Sequence, residues 1–281
     1  MGSLSPGLRL GSVPRYGRPV SFDVGADAYG RFMGRYSEPL AARLISEIPL
    51  QNVRRALDVG AGTGAVAALL VDRLGADAVA AIDPSPSFVA ALTQRLPGVR
   101  VVQAVAEHLP FADGAFDLTI AQLVVHFMSD PVAGVTEMAR VTTSGGTVVA
   151  SVWDFAGGRA PLSLFWRVVR ELDGAAVDES ALAGARSGQL EGVFRSAGLS
   201  GVRGGELTVE VPYVSPDDWW LPYTLWVGPA GAYVAGLDSA RREALRRRAI
   251  EELGPGPGVV TATAWVAFGT IASLRSRAPQ R

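Results

Sequence analysis

"LDVGAGTGAVAALL", Leu57–Leu70, sets three glycines at 60, 62 and 64 behind an acid, Asp58, and ahead of an apolar run with helical spacing. Glycine lacks a Cβ, so the backbone there turns tightly and approaches a bound group closely. The helix that follows presents free N–H groups and the positive end of its dipole to that group. The segment satisfies both D-x-G-x-G-x-G and G-x-G-x-x-A, with Ala65 last, so the glycines alone leave a dinucleotide pyrophosphate open. Asp58 tips the balance. A carboxylate beside the loop repels a pyrophosphate and suits a ligand that carries an ammonium group, as S-adenosylmethionine does. A second acid, Asp83, follows about 20 residues after the loop, where a carboxylate accepts hydrogen bonds from ribose hydroxyls. The competing role for Asp83 is a helix N-cap ahead of Pro84.

Working outward, "RRALDVG", "AVAAID" and "VRVVQAV" read as short strands. "AVAALLVDRLG" and "SPSFVAALTQRLPG" read as the helices between them. "FDLTIAQLVVHF" is a fourth strand, "DPVAGVTEMARVT" a helix and "GTVVASVWD" a fifth strand. The strands are apolar on both faces, as parallel strands covered by helices on each side are. The alternation predicts a doubly wound α/β sheet, mostly parallel. The connection "AEHLPFADGA" is short and polar, and any helix in it is vestigial.

Upstream, residues 1–22 have the composition of a flexible leader. "GADAYGRFMGRYSEPLAARLISEI" reads as one helix, its aromatic and apolar residues at Tyr29, Phe32, Met33, Tyr36 and Leu40. Downstream, "PLSLFWRVVREL", "SGQLEGVFRSAGL" and "SARREALRRRAIEEL" are amphipathic helices. "ELTVEVPYV" and "VVTATAWVAFGTI" are strands, and the segment from Ser215 to Leu237 is partly helical. Residues 23–281 read as a single domain. Its cofactor-binding core covers about 50–155, and its substrate-covering elements about 23–48 and 156–253.

Composition narrows the chemistry. The 281 residues include no cysteine and only two histidines, His108 and His126. Disulfides, thiolate metal sites and a cysteine nucleophile are excluded, and no metal is expected. Basic and acidic residues nearly balance, 26 against 27, and every basic residue apart from histidine is arginine. No basic face for nucleic acid is indicated. No apolar run is long enough for a membrane span. These features make a cytoplasmic protein the expectation, and a homodimer is compatible with them.

Four stretches in order resemble the motifs of the class I S-adenosylmethionine-dependent methyltransferases, in the small-molecule and quinone-biosynthesis branch. "LDVGAGTG" is similar to the first motif and "AIDPSPSFVAAL" to the ribose-binding one. "VAEHLPFADGAFDLTIAQLVVHFMSDP" and "MARVTTSGGTVVAS" resemble the third stretch and the Gly-Gly turn into the fifth strand. "YGRFMGRYSEPLA" is similar to the entry helix of this branch. The resemblance implies a Rossmann-like fold of seven strands with an aromatic-rich substrate lid, and S-adenosyl-L-methionine as cofactor. It places Gly60, Gly62 and Gly64 against the methionine part, Asp58 near its amine, Asp83 on the ribose, Ala106 and Glu107 by the adenine, and Gln122 on the methionine side. Val105 stands where many relatives have an acid, so apolar contacts such as Pro84 take on more of the adenine. Tyr29 and Arg35 are further cofactor candidates, Arg35 through the donor carboxylate.

Methyl transfer is an in-line displacement in which alignment is the main task. A base is needed only for an acceptor that must lose a proton. His126 is the candidate base, set against a histidine merely packed beneath the ligand. Phe32, Tyr36, Trp153, Trp166, Trp219, Trp220, Tyr223 and Trp226 are the candidate pocket for a small, largely apolar or aromatic methyl acceptor. Two other functions stay open. One is a non-methylating cyclase or binding protein on the same scaffold. The other is an NAD-dependent oxidoreductase, which the lack of lysine disfavours because no Tyr-x-x-x-Lys pair exists.

Overall fold

A computed structural model describes residues 26–272. The proposed leader, 1–22, lies outside the described residues. Seven strands form one sheet: β1 (Ala56–Val59), β2 (Val79–Asp83), β3 (Arg100–Gln103), β4 (Phe116–Gln122), β5 (Thr142–Trp153), β6 (Ser200–Tyr213) and β7 (Gly258–Thr270). Their order is 3-2-1-4-5-7-6. β1 to β5 are parallel, β7 runs antiparallel to β5, and β6 antiparallel to β7. This is the doubly wound, mostly parallel seven-stranded sheet that the sequence predicts.

Residues of the central strands alternate between two apolar layers. Ala56, Leu118 and Ile120 pack under α2 (Arg35–Ser46), α3 (Ala65–Leu74) and α4 (Pro86–Arg95) through Leu40, Leu44, Leu70 and Leu92. Leu57, Ile82 and Ala121 pack under α5 (Pro131–Val141) and α7 (Gln189–Ser196) through Val135, Met138 and Phe194. Burial on both faces explains why these strands read as unbroken apolar runs. A third cluster, built on Phe32, Phe165, Trp166, Trp219, Trp220 and Tyr223, joins α6 (Ser163–Leu172), α8 (Pro216–Trp220), α9 (Gly228–Ala235) and α10 (Ser239–Leu253).

Two local expectations change, and a third holds. The single helix expected near residues 25–48 is α1 (Ala26–Tyr29), a π-turn over Gly30–Gly34, and then α2. Two glycines in five residues lower the cost of that wider turn. The fourth strand stops at Gln122 rather than running to Phe127. Leu123 adopts φ 60°, and the chain then forms a 3₁₀ turn over Val125–Phe127. The connection between β3 and β4 contains no helix.

Arg140 on α5 holds that helix-free connection. Its guanidinium donates to the carbonyls of Leu109 and Phe111 and to the carboxylates of Asp113 and Glu137. Arg140→Ala leaves those carbonyls without their donor, a cost of about 1–2 kcal/mol. The expected result is faster amide hydrogen exchange confined to residues 104–115, with a lower melting temperature. Unchanged exchange there would show that the connection is held by its apolar contacts instead.

Candidate active site

Parallel α/β sheets open a crevice where the strand order reverses, beyond the carboxyl ends of the strands on either side. Here that point lies between β1 and β4. Asp58 and Gly60–Gly64 leave β1 there, and Gln122 and Leu123 leave β4. Gly60, Gly62 and Gly64 take φ of 67°, 55° and 89°, values closed to most side chains. The three differ in what a side chain would meet. A Cβ on Gly60 would fall 2.5 Å from Val124, and one on Gly64 2.4 Å from Leu92, so these two glycines serve packing. A Cβ on Gly62 would meet only the edge of the Tyr29 ring at 3.9 Å. The space in front of Gly62 is open.

Two carboxylates set the loop. Asp58 accepts the Ala67 N–H at 2.9 Å, in the first turn of α3. Asp83 accepts the Gly62 N–H at 2.9 Å with one oxygen and the Ser85 N–H at 2.8 Å with the other. The Ala61 N–H donates to the Ile82 carbonyl. Asp58 is 2 % exposed, and burial pushes its carboxyl up to about 7, helped by the nearby charge of Asp83 and opposed by the Ala67 bond. Burial also raises Asp83. Neither makes an ion pair among the described residues. Asp58, Gly60, Gly62, Gln122, Leu123, Ser37 and Tyr29 line one cavity of about 340 Å³. Gln122 donates to the Ser37 carbonyl at 3.0 Å, while its Oε1 is buried without a hydrogen-bond partner. An unpaired amide oxygen, a carboxylate without a cation and an open glycine face fit the amino-acid end of S-adenosylmethionine, whose ammonium would supply the missing donors.

A second cavity, about 410 Å³, adjoins the first and shares Tyr29 and Leu123 with it. Its walls include Phe32, Met33, His126, Phe127, Trp153 and Phe155. Tyr29 stacks edge-on against Phe88 at 5.1 Å, and burial raises its phenol to about 12, so it stays neutral.

The other candidates fall elsewhere. Of the aromatic set, Phe32 and Trp153 line the second cavity. Trp166, Trp219, Trp220, Tyr223 and Tyr36 are buried in the packing behind it, and Trp226 is 60 % exposed. Arg35 is directed away from the glycine loop: it donates to the Pro212 and Asp218 carbonyls and pairs with the Asp218 carboxylate. It fastens α2 to the end of β6 and the start of α8 rather than holding a ligand carboxylate. Glu107 accepts the Ser129 and Asp130 N–H groups and so positions the turn before α5. Ala106 is buried, and Pro84 and Val105 are exposed.

His126 is a poor base in this setting. It is buried, its ring centroid lies 3.9 Å from that of Phe127 at a tilt of 42°, and burial lowers its pKa to about 3. Its Nδ1 has no partner, so no carboxylate orients the ring. It stays neutral through the physiological range. Sequence reading missed Glu179, Phe155 and Leu123. The only local signal for Glu179 was its place after Asp178, whose carboxylate caps the 3₁₀ turn over Glu179–Ala181.

Among the described residues, no helix is long and apolar enough to cross a membrane, and no His, Asp and Glu cluster of three could hold a metal. Residues 57–150 match the family model described as a methyltransferase domain. The chain is 30% identical to trans-aconitate 2-methyltransferase of Rhizobium etli over 139 residues, 50% of this chain and 54% of that protein. It is 37% identical to an uncharacterized methyltransferase of Mycobacterium tuberculosis over 153 residues, 54% and 57% of the two chains. It therefore spans little more than half the length of these relatives. A solved structure of Haemonchus contortus phosphoethanolamine N-methyltransferase 2, in complex with S-adenosyl-L-methionine, superposes with TM-score 0.56 at 16% identity. That match covers 94% of this chain and 61% of the other. The glycine loop and its two carboxylates thus lie within residues 57–150, the stretch that matches a methyltransferase domain.

Proposed function

We propose that the whole chain methylates a small, largely apolar or aromatic molecule. The supporting observation is the junction of the two cavities, where Tyr29 and Leu123 belong to both walls. The cofactor, when bound, supplies an electrophilic methyl group on a sulfonium. Asp58 and Gln122 Oε1 bind its ammonium, Asp83 its ribose, and the open face of Gly62 lets the backbone approach. The apolar walls of the second cavity hold the acceptor and exclude water, so alignment supplies most of the rate. A flat ring of quinone type suits walls built from Phe32, Trp153 and Phe155. An acceptor that is a free carboxylate, as trans-aconitate is, would meet no guanidinium there, because no arginine lines that cavity.

Incubation of a metabolite extract with methyl-labelled S-adenosylmethionine tests the reading, with label expected in a small product. Calorimetry should show binding of S-adenosylmethionine and its demethylated product but not of NAD. Cofactor binding without transfer to any acceptor would favour a cyclase or binding protein, and binding of NAD alone would overturn the reading. Gly62→Val places a branched side chain in ligand space at φ 55°. It should abolish cofactor binding while the circular dichroism spectrum stays that of the parent, and normal binding would show the loop is misassigned.

For His126, a neutral ring that packs and positions predicts a modest outcome. His126→Phe should change turnover by less than about tenfold, where loss of a working base costs roughly 10²–10⁴. A thousand-fold loss with cofactor affinity preserved would make His126 the base after all.

A further inference from the structure

The second cavity carries one ionisable group that the transfer reaction does not use. Glu179 is 5 % exposed and lies on its wall, on the 3₁₀ turn that follows α6. The Trp166 indole N–H donates to its Oε2 at 2.9 Å, which fixes the carboxyl in one orientation. Glu179 makes no ion pair among the described residues, and Oε1 accepts no described hydrogen bond. Arg170, which borders the same segment, pairs with Asp178. The remaining polar groups on the cavity wall carry no charge to oppose it: His126 is held neutral, and Tyr29 keeps its proton. Two buried atoms of wall residues, His126 Nδ1 and Trp153 Nε1, are unpaired.

A carboxyl buried this way without a cation costs folding free energy, because the charged form loses its hydration. Burial pushes Glu179 up to about 7, with Asp178 adding to the shift and Trp166 opposing it. A purely structural role asks only for an acceptor to the Trp166 N–H, which glutamine would supply without any charge. Aromatic faces beside a lone carboxylate form a site of another sort: they attract a cation through the ring quadrupole, and the carboxylate gives it a charge-assisted hydrogen bond.

Resting on the reading of this cavity as the acceptor pocket, we propose that Glu179 is its specificity-determining residue and selects an acceptor bearing an amine, bound as the ammonium ion against Glu179 with its apolar body between Phe32, Trp153 and Phe155. Anionic acceptors are rejected by the same carboxylate. Neutral acceptors of the same shape enter but lack the charged contact.

The test uses the full chain saturated with S-adenosylhomocysteine and three probes of one shape: 2-phenylethylamine, 2-phenylethanol and phenylacetate. Binding is read by calorimetry at neutral pH. The parent should bind the amine roughly tenfold or more tightly than either other probe, the scale of one charge-assisted hydrogen bond. Glu179→Gln keeps an acceptor for Trp166, so its melting temperature and S-adenosylhomocysteine affinity should match the parent. It should lose the preference for the amine and bind 2-phenylethanol unchanged. Equal affinities in the parent, a preference for phenylacetate, or an amine preference that survives in Glu179→Gln would overturn the proposal while leaving the methyl-transfer reading intact. Failure of the parent to bind S-adenosylhomocysteine would instead overturn that reading, and this inference with it.

Discussion

Two buried carboxylates without a cation hold the glycine loop in shape, and the rest of the site depends on them. Asp58 is anchored to the first turn of α3, and Asp83 to Gly62 and Ser85. Burial disfavours the charge of both and raises both, Asp58 to about 7. The free protein therefore carries an electrostatic cost at neutral pH that a cationic ligand offsets. The same carboxylates explain why a glycine loop compatible with a pyrophosphate by its spacing is a poor place to put one.

Two departures from regular backbone bring the second cavity up to the first. The π-turn over Gly30–Gly34 follows Tyr29 and contains Phe32 and Met33, three residues of that cavity's wall. Leu123 at φ 60° ends β4 and turns the chain into the 3₁₀ turn that bears His126 and Phe127. A leucine in the left-handed region costs about 1–2 kcal/mol per residue, so packing and the bond from its N–H to the Ser151 carbonyl must hold it there. The strain falls at the junction of the two cavities, whose walls both include Leu123.

The sequence made the fold legible because its signals were local and repeated. Glycines with an acid before them, apolar strands at even spacing and a second acid one βα unit later are each short-range patterns, and the sheet agrees with all of them. Pocket residues were harder. Trp219, Trp220 and Tyr223 are aromatic whether they face a ligand or a neighbour, and here they pack against one another behind the wall. Arg35 looked like an anion anchor, but its partners are backbone carbonyls some 180 residues away in sequence, which no local pattern encodes. Glu179 was invisible for the opposite reason: in "VDES" it reads as solvated loop, and only the fold encloses it. His126 was read at the end of the fourth strand and lies just past it, but its packing against Phe127 and Phe155 sets its proton affinity, and that depends on tertiary structure.

We propose that the Asp58 carboxylate, held near pKa 7 by burial, becomes the counter-charge of the cofactor's ammonium. Below that pKa the free protein carries a proton on Asp58. A bound ammonium favours the ionised form, so the proton must leave on binding. Calorimetric titration of S-adenosylhomocysteine at pH 6, repeated in buffers of different ionisation enthalpy, measures that proton directly. The account predicts release of a large fraction of one proton per cofactor, with affinity rising as pH is raised from 5 toward 7. Binding with no buffer dependence, or with affinity that rises as the solution is acidified, would contradict it.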